Sequence, residues 1–96
     1  MLLCMKIFDW NPDENKFLIE ERGISFEDVI YHLQNNCLLD DLKHSNQEKY
    51  PNQRIFIINI ESYAYLVPYI ETDKEIFLKI VIPSRKATKL YIGEKP

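Results

Sequence analysis

The stretch from Arg54 to Ile82, RIFIINIESYAYLVPYIETDKEIFLKIVI, decides the fold. It holds three runs rich in β-branched and aromatic residues: Arg54 to Ile60, Tyr63 to Ile70 and Glu75 to Ile82. Short polar turns at Glu61-Ser62 and near Thr72-Asp73-Lys74 part them. Such side chains suit a pleated, half-buried surface, and connections this short join antiparallel neighbours, so the stretch predicts an antiparallel meander. Pro68 lies inside the middle run and has no backbone N–H to give to a neighbour, which predicts a bulge or an unpaired position there.

Upstream of this stretch the periodicity changes. Lys6-Ile7-Phe8-Asp9-Trp10 alternates and reads as a short strand. Asn11-Pro12 then opens a helix: Asn caps, Pro fits the first turn, and Asp13-Glu14 suit the positive end of the helix dipole. Arg22-Gly23 closes it. Ser25 caps a second helix with Asp28 three residues on, and Phe26, Val29, Ile30 and Leu33 form its apolar stripe. Asn35-Asn36 ends that helix, and Cys37 to Leu42 predicts one more short strand before a polar loop through His44-Ser45-Asn46-Gln47 to Pro51-Asn52. Downstream, Pro83 stops the last run, Ser84 caps, and Arg85 to Tyr91 predicts a short final helix. The fold class is α+β: a small antiparallel sheet packed against two N-terminal helices, burying Trp10, Phe17, Phe26, Val29 and Leu33.

Ninety-six residues suit one domain, and 46% apolar with 28% charged residues is globular composition. No apolar run approaches the roughly 20 residues of a membrane span, and Lys6 follows the start too soon for a secretory signal. Cys4 and Cys37 lack metal-ligand or redox spacing and read as reduced thiols, with Cys37 in the core, so the expected compartment is the cytoplasm. The net charge of −3 argues against binding nucleic acid over the whole surface. Its distribution is uneven. Residues 1–42 carry nine acids against three bases, and residues 43–96 six acids against nine bases, so a polyanion site belongs in the second half.

Three blocks resemble the BrnT family of bacterial ribonuclease toxins. Phe8-Asp9-Trp10-Asn11-Pro12 with Arg22-Gly23-Ile24-Ser25-Phe26-Glu27-Asp28 is similar to the family's opening strand and helix corner. His44-Ser45-Asn46-Gln47-Glu48-Lys49 followed by Arg54-Ile55-Phe56-Ile57-Ile58 is similar to its central loop and strand. Ile80-Val81-Ile82-Pro83-Ser84-Arg85-Lys86-Ala87-Thr88-Lys89-Leu90-Tyr91 is similar to its ending. The corner carries Glu21-Arg22 where the family pattern has Lys-His, and Pro83-Ser84-Arg85 stands where it has Ser-Ala-Arg. The resemblance implies a RelE-like fold, cleavage of RNA without metal or cofactor that blocks translation, and a cognate antitoxin as partner. A homodimer is left open.

In such a cleavage the ribose 2′-OH attacks the adjacent phosphorus, which calls for a base, an acid and cations. His44, Arg54 and Arg85 are the catalytic candidates, expected to converge on one concave surface. Arg85 also follows a strand into a helix N-terminus, where amides favour phosphate. Lys49, Lys79, Ser84, Lys86, Thr88 and Lys89 are the RNA-binding candidates. Tyr50 and Tyr91 could stack on bases, although packing suits both, and His32 reads as a partly buried structural histidine. Against the ribonuclease stands a non-catalytic domain that keeps the toxin-like fold and only binds a partner. A small metabolic enzyme would need a phosphate loop, metal cluster or nucleophile–base motif that the sequence lacks.

Overall fold

The structure, a computed structural model, describes residues 6–93. Strand β1 (Ile7–Trp10) leads into helix α1 (Pro12–Arg22) and helix α2 (Phe26–Gln34). Strands β2 (Leu38–Lys43), β3 (Gln53–Ile60), β4 (Tyr63–Glu71), β5 (Glu75–Leu78) and β6 (Ile82–Pro83) follow. The described chain closes with one α-turn, α3 (Arg85–Ala87), that widens into a π-type turn over Thr88–Ile92. The α+β class is as expected, and the Arg54–Ile82 stretch is strand.

Local chemistry sets the helix ends. The Asn11 side chain accepts from Asp13 N at 2.8 Å, and Gly23 takes a left-handed φ of 70° to end α1. At α2 the expected capping box is complete: Ser25 Oγ accepts from Asp28 N, and Asp28 Oδ2 accepts from Ser25 N at 2.9 Å. Asn36 leaves α2 at a φ of 63°, a conformation that Asn tolerates.

The sheet runs β1-β5-β4-β3-β2, with β6 also paired to β4. It is mixed, which corrects the expectation of a wholly antiparallel sheet: β1 lies parallel to β5 in the register Ile7↔Glu75 to Trp10↔Leu78. A parallel pair needs a long connection, and everything between Trp10 and Glu75 supplies it. The meander β3-β4-β5 is antiparallel as expected. Its third run breaks opposite Pro68. Lys79 N donates to Pro68 O at 2.9 Å, but Pro68 has no N–H to return. Tyr69 pairs with Leu78 while Leu66 pairs with Ile82, so three steps on β4 face four on the other strand. That is a one-residue bulge. It shifts the alternation, so that Leu78 and Val81 are both buried while Ile82 is exposed.

The core lies between the helices and one face of the sheet. Leu18, Phe26 and Val29 meet Phe56, Ile58, Ile60, Val67, Tyr69, Ile76, Leu78 and Val81, with Trp10, Ile30, Leu33 and Cys37 packed at the edge. Trp10 stacks on Phe26 with ring centroids 5.8 Å apart. Phe17, expected inside, is 48% exposed, and Leu18 is fully buried in its place. The cause is Asn15, whose Oδ1 accepts from Phe26 N at 2.7 Å and so turns its own side of α1 toward α2. Leu18 is three residues from Asn15 and shares that side, and Arg22 follows four residues later. The other face of the sheet buries far less: Ile57, Ala64 and Ala87, with Leu39, Leu66, Tyr91 and Ile92 around them.

Candidate functional site

The structure does not bring His44, Arg54 and Arg85 onto one surface. Arg54 lies on the helix side of the sheet. Its Nε donates to Asp41 Oδ1 at 3.1 Å and to the Tyr69 hydroxyl at 3.0 Å, and that hydroxyl donates to Asp41 Oδ1 at 2.7 Å. The Asp41 bond, then the Tyr69 bond, raises the Arg54 pKa further. Burial, reinforced by Asp41, pushes the Tyr69 phenol well above its ordinary range, so it stays a neutral donor. Arg85 belongs to the turn over the opposite face, where Ala87 packs on Ile57 and Ala64.

The loop residues are separate again. His44 N bonds to Gln53 O, and Gln53 pairs with Ile70, whereas Ser84 N bonds to Ala64 O. Six residues of β4 part those two levels, about 20 Å at a strand's rise per residue. Within the loop the His44 and Tyr50 rings lie 4.4 Å apart, and Lys49 Nζ sits 5.4 Å from the Tyr50 centroid. Asn46 N donates to His44 Nδ1 at 3.0 Å. Nδ1 is therefore the acceptor, and neutral His44 carries its proton on Nε2. It offers a donor there, and no free base.

The ending of the chain also departs from expectation. An α-turn of three residues has little dipole to offer an anion. Ser84 Oγ is taken by Ala87 N at 3.0 Å, and Thr88 Oγ1 donates to Ser84 O while accepting from Ala64 N at 2.9 Å. The Ser84 hydroxyl caps the turn, and the Thr88 hydroxyl holds it to the sheet. Tyr91 does the same by donating to Asp40 Oδ2 at 2.7 Å, which lowers the Asp40 pKa and raises its own. Arg85, Lys86 and Lys89 are exposed around this turn, and Lys79 is exposed at the bulge.

A cleft that no sequence pattern announced lies elsewhere. It encloses about 330 Å³ between the α1–α2 corner and the β3–β4 hairpin, and is lined by Arg22, Gly23, Ile24, Asp28, His32, Ile60, Glu61, Tyr63 and Tyr65. His32 Nδ1 lies 2.7 Å from Asp28 O. A carbonyl only accepts, so the ring proton sits on Nδ1, and Nε2 keeps its lone pair with no partner among the described residues. His32 thus holds the base-competent tautomer that His44 lacks. Periodicity in sequence could place Arg22 and His32 on their helices, but the meeting with Tyr63 and Tyr65 is made by tertiary packing alone.

Comparison of the chain with protein-family models, with curated proteins and with solved structures gave no match.

Proposed function

We propose that the chain is a toxin-type ribonuclease of the cytoplasm, working without metal, that a cognate antitoxin holds inactive. The ribonuclease and the RNA substrate rest on the BrnT resemblance of the three sequence blocks. The observation that carries the partner is the second face of the sheet. One short turn covers it only in part, leaving a shallow groove of about 230 Å³ lined by Leu42, Ile57, Leu66, Ala87, Leu90 and Tyr91 with Ser84 and Lys86. Leu90 is 71% exposed there and Leu42 41%. Exposed apolar residues grouped this way favour association over solvent. Arg85, Lys86 and Lys89 stand beside the groove, so an acidic amphipathic segment complements it in charge as well as in polarity. A partner seated there would cover the cations that RNA needs. No helix among the described residues is long and apolar enough to cross a membrane.

Induction of the chain alone should arrest growth and degrade cellular RNA, and co-expression with an acidic partner encoded beside it should restore growth. Leu90→Glu should release the partner and leave RNA cleavage in place. A chain that is harmless on induction and leaves purified RNA intact refutes the ribonuclease. The second reading, a non-catalytic domain that binds the same partner, is favoured by one observation: His44, Arg54 and Arg85 form no constellation, and Arg54 is already paired with Asp41.

A further inference from the structure

We propose that the cleft between the α1–α2 corner and the β3–β4 hairpin is a binding site for a single nucleoside monophosphate unit. This goes beyond the toxin reading and holds whether or not the chain cleaves RNA.

The two walls differ in what they offer. The helix wall presents the Arg22 guanidinium, which has no hydrogen-bond or ion-pair partner among the described residues, and His32 with its unpartnered Nε2. Asp28 shares this wall, but its Oδ2 already accepts from Ser25 N in the capping box. The hairpin wall presents Tyr63 and Tyr65, whose rings meet edge to face with centroids 5.7 Å apart, and then Glu61. The cleft thus sets the Arg22 guanidinium beside the Asp28 carboxylate on one wall, an acid at the tip of the other, and aromatic rings between.

A nucleoside monophosphate offers a partner to the guanidinium, to the rings and to the hairpin acid. Arg22 suits the phosphate, because a guanidinium can give two parallel N–H bonds to it. A tyrosine ring gives a stacking surface for a base of any sequence. Glu61, an acceptor only when ionised, suits ribose hydroxyls or an exocyclic amine. The cleft's volume lies at the small end of ligand sites, about 300 Å³ and upward, so it takes one unit and not a run of them.

The hairpin tip supports a role for the acid. Glu61 and Ser62 both have positive φ, 52° and 70°, the geometry in which a two-residue turn favours Asn-Gly. The chain keeps a charged residue in a conformation that costs it stability. Gly23, at φ 70° on the opposite wall, supplies the matching tight corner at α1.

The source is either a free nucleotide or one unit of single-stranded RNA, and titration separates them. The probes are 5′-AMP, 3′-UMP, adenosine, inorganic phosphate and a single-stranded RNA hexamer, followed by calorimetry and amide shifts. Both monophosphates should bind, with shifts confined to residues 22–32 and 60–65. Adenosine and phosphate should each bind at least about tenfold more weakly, since each lacks one half of the contact. Arg22→Ala should weaken AMP about tenfold or more, with Arg22→Lys in between. Tyr63→Ala should weaken it about fivefold or more through lost stacking. Both residues are partly or wholly exposed, so the fold survives, and circular dichroism checks this. A hexamer that binds much more tightly than AMP names RNA as the source, and one that binds equally names the free nucleotide. Either result upholds the site. No binding of either monophosphate at millimolar concentration overturns it, and so does adenosine binding as well as AMP, or Arg22→Ala leaving AMP affinity unchanged. Since binding is read without cleavage, a catalytically silent chain leaves this test intact.

Discussion

The two faces of the sheet are built to different standards. The helix face joins residues from α1, α2 and four strands in one continuous core, and every cap and corner above it is closed. The other face buries three residues under a single widened turn and leaves Leu90 and Leu42 in solvent. Stability therefore lives on the helix face, and the second face is left open to solvent. A protein that needed both faces for its own folding would not leave one of them half covered.

The comparison breaks most sharply at Phe26. It is fully buried and stacked on Trp10, so Phe26→Ala should cost about 3–5 kcal/mol, read by urea denaturation. A loss below about 1 kcal/mol would mean that the helix layer is not what holds the sheet. Ser25→Ala removes one half of the capping box and should cost about 1 kcal/mol in the same assay.

How far these positions were legible in the sequence depends on how local their cause is. Ser25 with Asp28, Asn11 with Pro12, and Gly23 announce helix ends through chemistry spanning a few residues, and the structure has them as expected. Pro68 announced a break for the same reason. Phe17 and Leu18 were indistinguishable by composition, because the choice is made by Asn15 reaching Phe26 N across the corner. The parallel pairing of β1 with β5 joins residues more than sixty positions apart and leaves no mark in either strand. The catalytic candidates suffered in the same way. His44, Arg54 and Arg85 are chemically apt as a list, but the list has no geometry. Arg22 read only as a helix end and a departure at the corner, because the residues that share its cleft come from a distant hairpin.

On the second face the effects are smaller and local. The Tyr91–Asp40 bond ties the widened turn to β2. The Asp40 pKa is depressed below 3.8 by this bond, so its contribution is present above that value and fades as pH falls through the folded pKa. The Tyr91 pKa is raised above 10.0, so its contribution is complete below that value and is lost as pH rises through the folded pKa. Amide exchange of residues 88–92 should accelerate beyond its ordinary pH dependence at both extremes, while that of β3 holds. Asp40→Asn should abolish the acid limb. Leu90→Glu marks the smallest effect on the fold. In the isolated chain it should shift stability by no more than about 0.5 kcal/mol, because the side chain is already in water. A large loss from Leu90→Glu would show the second face to be structural after all, and would erase the contrast.

The extra residue opposite Pro68 has a meaning beyond its own neighbourhood. A strand assigns its side chains by odd and even position, and one inserted residue reverses that assignment for all that follows. The tail of the sheet is thus written in the opposite parity to β5. Removing Lys79 or Ile80 would therefore not turn the tail over. It would erase the bulge, set Val81 in plain alternation with Leu78 on the buried face, and leave Ile82 opposite Leu66, with the basic ending Arg85 to Lys89 over the face that it now overhangs.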